Sequence, residues 1–207
     1  MIPVNVLAVR YLASATPNLC QALGASENAP CLGLITTDCD DATYIALDEA
    51  TKAAEVQVCF GSSFYAGAAN ASTPNAGEVL GVLCAATPGA VRSGMEAALG
   101  ALERIGFEQV GEVPYLAHTV SSCGSFLAKE AGVQEGEPIA YLIAPPLESM
   151  YAMDFALKAA DVKLCKLYTP PSPTNFGGGL LTGTRSACAA ACAAFAEAVS
   201  EIPERPP

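Results

Sequence analysis

A stretch of fourteen residues occurs twice in this chain, and that repetition limits the fold more than any single motif does. Residues 46–59 read Ala-Leu-Asp-Glu-Ala-Thr-Lys-Ala-Ala-Glu-Val-Gln-Val-Cys. Residues 152–165 read Ala-Met-Asp-Phe-Ala-Leu-Lys-Ala-Ala-Asp-Val-Lys-Leu-Cys, a constant 106 positions later. Alanine matches carry little weight in an Ala-rich chain. The pairs Asp48/Asp154, Lys52/Lys158 and Cys59/Cys165 carry the signal. A chain of 207 residues with a repeat at that spacing is one unit of about 100 residues built twice.

The order of elements repeats as well. The first copy predicts an apolar stretch over 4–12 and a short helix opened by Thr16 and Pro17, a capping residue followed by proline at the first helical position. A strand over 31–36 follows, then a helix with Asp48 four residues before Lys52, and a strand over 56–60. A loop over 61–77, a strand over 78–84 and a helix opened by Thr87 and Pro88 close the copy. The second copy predicts strand 115–120, helix 124–131, strand 139–144, helix 147–160, strand 162–168, loop 169–179, strand 180–182 and helix 184–200. The reading is a mixed α/β (α+β) fold in two tandem domains, 1–108 and 109–207, the join falling in 106–112. A unit of that size buries only about 60–65% of its surface, so the two copies are expected to pack together as a pseudo-dimer. The tail 202–207 reads as unstructured.

Composition narrows the function. Charged residues make up 15% of the chain and hydrophobic ones 52%, against about 25% charged in an average domain. Either alanine inflates the apolar count or part of the surface is covered by neighbouring chains. The net charge of −11, with basic residues scattered singly, excludes the Lys/Arg clusters that bind nucleic acid or anionic membranes. No run reaches the roughly 20 apolar residues of a membrane helix, and the N-terminus lacks the charged start of a signal peptide. Nine cysteines without a C-x-x-C pair argue against a disulfide framework or a zinc knuckle, and for buried thiols in a reducing cytoplasm.

Catalytic patterns are weak. His118 is the only histidine and lies in an alternating strand pattern, where its neighbours Ser121, Ser122 and Cys123 do not make a triad. Cys188 and Cys192 stand one helical turn apart and read as small core residues. The run 177–183 matches neither glycine-rich phosphate loop. The one polar cluster is Asp38, Asp40 and Asp41, with Glu78 at the head of a later strand. It reads either as an acid-rich helix start or as a site for a small ammonium, which needs opposite charge and several acceptors. As a calcium loop it fails, because Thr43 stands where glycine is required. A soluble enzyme or sensor acting on a small amine through these carboxylates is the alternative reading.

The run Ala159-Ala-Asp-Val-Lys-Leu, the Gly-rich loop, Gly178-Gly-Leu-Leu and an Ala-rich helix resemble a bacterial-microcompartment (BMC) shell domain. The first copy shows the same outline in Ala53-Ala-Glu-Val-Gln-Val, Gly77-Glu-Val-Leu-Gly-Val-Leu and Ala86-Thr-Pro-Gly-Ala-Val. Asp40-Asp-Ala-Thr-Tyr-Ile, Asp48-Glu-Ala-Thr-Lys, Tyr65-Ala-Gly-Ala-Ala and Ala144-Pro-Pro-Leu-Glu extend the resemblance to the tandem, circularly permuted shell proteins of ethanolamine-utilisation microcompartments.

That resemblance implies a structural role rather than an enzyme, in the shell of a cytoplasmic microcompartment. It implies a homotrimer with pseudo-sixfold symmetry that tiles with other shell proteins. It implies a central pore lined and gated by the two long loops, through Tyr65, Gly67 and Asn70 in one and Asn175, Phe176 and Gly177 in the other. It implies ethanolamine bound by Asp40, Asp41 and Glu78, with backbone near Phe107, and passage of bulky metabolites such as cobalamin through the pore. No cofactor is required; adventitious divalent metal such as zinc on the acids is a further expectation.

Overall fold

The computed structural model of the chain describes residues 1–64, 78–169, 172–174 and 176–201. The expected loop residues Tyr65, Gly67, Asn70 and Asn175, and the tail 202–207, lie outside the described residues. Elements run β1 (Val6–Leu12), α1 (Pro17–Ala22), β2 (Cys31–Thr37), α2 (Asp40–Ala53), β3 (Gln57–Phe64), β4 (Glu78–Ala85) and α3 (Pro88–Leu102). They continue β5 (Glu108–Val110), β6 (Val113–Val120), α4 (Ser125–Ala131), β7 (Ile139–Ala144), α5 (Pro146–Ala159), β8 (Val162–Tyr168), β9 (Gly177–Gly183) and α6 (Arg185–Glu201).

Two compact units result, and neither is a single stretch of chain. One unit holds Met1–Ile2, Gly106–Cys123 and Ala128–Pro207; the other holds Pro3–Ile105 together with Gly124–Leu127. Each is built on one antiparallel sheet. The second-named has strand order β1-β2-β4-β3, and the first has β5-β6-β7-β9-β8. Dropping β5, the two orders are the same, which is the duplication written in hydrogen bonds. The short hairpin of β5 with β6, turned at Gly111, is the addition.

The matched residues of the repeat recur in matched places. Cys59 and Cys165 both stand at the register shift of their strand, between Val58 and Phe60 in β3 and between Leu164 and Lys166 in β8. A bulge inserts one extra residue and sharpens the local twist, and here both copies place a thiol there. Lys52 pairs with Glu49, and Lys158 with Asp154, on exposed helix flanks. Thr87 and Thr184 each accept the backbone N–H three residues on, from Ala90 and Ala187, and so start α3 and α6 alike.

Cores follow from these faces. In the five-stranded unit, Ala140, Leu142 and Leu181 of the sheet pack against Ala152, Met153 and Ala156 of α5 and Cys188, Ala191 and Phe195 of α6. In the four-stranded unit α2 and α3 cover one sheet face, while Cys20 of α1 packs with Leu32, Val82 and Cys84 on the other. Alanines at the helix faces let the helices approach closely, so the high alanine content is spent on packing. All nine cysteines are free, seven of them buried.

β5 lies outside the sequence reading, β1 and β6 start two residues from where it put them, and two strands extend into segments read as loop. β3 runs on to Phe64, so residues 61–64 belong to the sheet rather than to the loop. Gly177 is the first residue of β9, paired with Ala144, and not part of the loop. A Cβ there would come within 2.8 Å of Ser149 Oγ, so the glycine fits the sheet because it has no side chain. Turn-rich composition concealed both extensions.

Candidate acidic binding site

The acids lie where β2 passes into α2. Thr37, the last residue of β2, accepts the backbone N–H of Cys39 on Oγ1, and its hydroxyl lies 2.7 Å from that of Thr43. Thr43 Oγ1 in turn donates to the carbonyl of Cys39 at 2.8 Å. This hydroxyl pair fixes the turn, and α2 starts at Asp40 without a side-chain cap of its own at Cys39. Two carboxylates in the first turn also suit the positive end of the helix.

The three aspartates have separate tasks. Asp38 accepts the backbone N–H of Asn5 on Oδ1 and the Asn5 side-chain amide on Oδ2, both at 2.7 Å. It therefore anchors the start of β1. Asp40 is buried and accepts the N–H of Asp41 on Oδ1 at 2.9 Å. Burial pushes its pKa from the usual 3.8 to about 6, opposed by hydrogen bonds from Ser63 and from the backbone and side chain of Asp41. Ser63 Oγ stands 2.7 Å from Tyr44 Oη, which completes a chain Asp41–Asp40–Ser63–Tyr44. The Cys39 thiol is pushed well up, first by burial and then by the Asp41 charge, so it stays protonated and unreactive.

Of the expected site residues, Asp40 and Asp41 stand together. Glu78 shares their end of the sheet: Val79, next to it, pairs with Thr37 on β2 and with Ser63 on β3. Alternation along β4 turns Glu78 to the sheet face that α1 covers, while Ser63 faces α2. Glu78 is thus a rim residue rather than a direct neighbour in that chain of hydrogen bonds. Phe107 belongs to the other unit, fully buried, its carbonyl accepting from Ile2 N at 2.6 Å. Its ring meets that of Phe176 edge-on with centroids 5.9 Å apart.

Sequence reading missed Ser63 and Tyr44. Tyr44 stands one helical turn after Asp40, a spacing that could have revealed it. Ser63 was hidden in a segment read as loop. Among the described residues no group of three or more His, Cys, Asp and Glu side chains could hold a metal ion, and no helix is long and apolar enough to cross a membrane.

The BMC domain model matches residues 31–114. Over its full length the chain is 53% identical to the bacterial microcompartment shell protein EutL of Clostridium perfringens (strain 13 / Type A), covering 97% of that protein. The chain belongs to the EutL family of bacterial microcompartment shell proteins. The Escherichia coli (strain K12) relative, also a bacterial microcompartment shell protein EutL, is 46% identical, with 100% of this chain and 96% of the relative covered. The crystal structure of ethanolamine utilization protein EutL from Leptotrichia buccalis C-1013-b superposes with a TM-score of 0.90 at 54% identity, covering 96% of this chain and 94% of that one. The chain is accordingly a structural shell protein of the microcompartment and not an enzyme, and the small-amine enzyme reading falls.

Proposed function

We propose that the chain forms a homotrimeric tile of the ethanolamine-utilisation shell, with a central pore bordered by its two long loops and ethanolamine bound at Asp40 and Asp41 with Glu78 at the rim. The observation that carries this reading is the position of the acid network on the sequence around 65–77. Ser63, bonded to Asp40, stands two residues before that segment, and Glu78 directly follows it. An ammonium held by Asp40 acts through Ser63 on the start of that segment, while Glu78 borders its end from the rim. The resemblance adds Phe107, whose ring contact with Phe176 ties it to the other expected pore loop.

Asp40 sets the sign of the pH dependence. A cation needs the ionised carboxylate, and the group is half protonated near pH 6. Affinity for ethanolamine therefore rises with pH and levels off above that point, and at pH 5 it is about tenfold weaker than at pH 8. Calorimetry at both values, repeated on Asp40→Asn, tests this. Saturable binding that follows this pH dependence and is lost in the variant supports the site. An assembled protein that binds no ethanolamine keeps the shell role and removes the site.

A ligand can shift the pore only by binding its open and closed states with different affinity. Pore populations unchanged by saturating ethanolamine would remove the coupling and leave the binding. Which bulky metabolites pass, cobalamin among them, follows from the open state.

A further inference from the structure

In the four-stranded unit, the repeat's aspartate is a capping residue for a segment far away in sequence. Asp48 is fully buried; its Oδ2 accepts Gly124 N at 2.7 Å and its Oδ1 accepts Leu127 N at 2.8 Å. Thr51 Oγ1 accepts Ser125 N at 3.2 Å. The start of α4 thereby rests on α2, and Leu127 is buried there.

The duplication supplies the counterpart of each partner. α1 and α4 correspond with an offset of 108. Their first residues are Pro17 and Ser125, and they end at the left-handed glycines Gly24 and Gly132. After these, Ala25 N bonds Cys20 O and Val133 N bonds Ala128 O. So Gly124, Ser125 and Leu127 correspond to Thr16, Pro17 and Leu19, while Asp48 and Thr51 correspond to Asp154 and Leu157. In this second set the carboxylate, the helix start and the leucine are complementary, and none of them meets its counterpart within the chain. Asp154 is 57% exposed and paired only sideways with Lys158 on its own helix. α1 has no side-chain cap at Thr16, and Leu19 is 39% exposed. Where Thr51 offers an oxygen to Ser125 N, Leu157 offers none, and Pro17 has no N–H to satisfy. The loss on one side matches the loss on the other.

The rest of α5 agrees. Leu147 and Tyr151 are 69% and 44% exposed, whereas Asp41 and Ile45, at the same positions of α2, are buried. A helix face that is covered in one copy and bare in the other, with apolar residues on the bare one, calls for an occupant of the same kind.

We propose that the α5 face is covered by α1 of a second copy of this chain, with Asp154 turning from Lys158 to cap α1 as Asp48 caps α4. The proposal rests on the tile reading and names the surfaces that join one copy to the next. The two joints are alike but not superimposable. A Cβ at Gly124 would lie 2.2 Å from Thr51 Oγ1 and 2.7 Å from Asp48 O, so Thr16 holds α1 slightly further out than Gly124 holds α4. The bond to Leu19 N is then the stronger of the pair.

Sedimentation of the full chain with Asp154→Ala, Leu19→Asp and Lys158→Ala tests the proposal. All three residues are exposed, so the variants fold. We expect Asp154→Ala and Leu19→Asp each to weaken association at least about tenfold, and Lys158→Ala to leave it unchanged. Mixing Pro17→Cys chains with Leu157→Cys chains is expected to give a disulfide between the two variants, identified by mass spectrometry. If the wild type assembles and neither Asp154→Ala nor Leu19→Asp weakens it, the joint is wrong while the tile stands. If Asp154→Ala and Lys158→Ala weaken it equally, Asp154 is only an ion-pair partner and the capping role is wrong. A monomeric wild type removes both the joint and the tile.

Discussion

In α2 the repeat's aspartate is wholly buried and holds two backbone N–H groups at the start of α4, whereas in α5 its counterpart stands more than half exposed beside Lys158. Sequence identity at 48 and 154 is therefore not identity of role within one chain. A buried carboxylate is costly unless it is hydrogen-bonded, and Asp48 is kept by its two donors. Burial pushes its pKa up while the N–H groups of Gly124 and Leu127 pull it down. Asp154, in water, needs no such support. A duplication keeps the scaffold and leaves each copy's surroundings to decide what a shared side chain does.

The sharpest way to break this comparison is to remove both carboxylates in turn. Asp48→Ala strands two buried donors and is expected to cost about 3 kcal/mol or more in urea unfolding. Asp154→Ala, measured on the dissociated chain at high dilution, is expected to stay within about 0.5 kcal/mol, as exposed pairs do. Asp48→Asn should recover little, because its NH2 faces a donor where the carboxylate presented an oxygen. Equal effects at 48 and 154 would mean the two environments are alike in solution.

The helix starts differ in the same manner. α2 begins with Asp40 and Asp41, and α5 begins with Pro146 and Leu147. The Asp40 carboxyl is at about 6 when folded and 3.8 when free, so folding favours its protonated form. Its contribution to stability is full below pH 3.8, falls as the pH rises toward 6, and stays low above. The difference amounts to about 3 kcal/mol at most, since each tenfold in acidity is 1.36 kcal/mol. Asp40→Asn is expected to raise stability at pH 8 and to change it little at pH 4, read from unfolding midpoints at fixed protein concentration. A variant equally affected at both values would show that hydrogen bonding, not charge, sets the environment of Asp40.

Much of this was legible in the residues. The offset of 106 and the Thr-Pro and Thr helix starts are local signals, and from them most of the succession of strands and helices in each copy could be read; the strand order within the sheets could not. The acid pair was visible because Asp-Asp at a helix start is rare in a chain with so few charges. What stayed hidden depends on distance in sequence. Asp38 looks like its neighbours, yet Asn5, 33 residues away, occupies it. Ser63 looks like a loop residue until β4 pairs beside it. The partners of Asp48 lie 76 and 79 residues on, and no periodicity announces them. Composition could not reveal that Gly177 lies in a strand, because glycine signals turns and close approach equally well.

The smallest expected effect concerns the last helix of each copy, α3 and α6, which correspond with an offset of 97 through Thr87 and Thr184. Gly100 in α3 then matches Glu197 in α6. A Cβ at Gly100 would meet nothing within 4 Å, and its φ is not left-handed, so the glycine is required by neither space nor backbone. Glycine loses more freedom on folding than alanine does, and in a helix this costs about 0.5–1 kcal/mol. Gly100→Ala is therefore expected to stabilise the chain by that amount, seen as a small rise in the thermal midpoint. Glu197→Gly, the reverse exchange in the other copy, should destabilise by a similar amount. If Gly100→Ala instead lowers the midpoint, α3 must be closely approached at that position when chains assemble. The bare surface of copy one would then be another contact between copies, as α5 is in copy two.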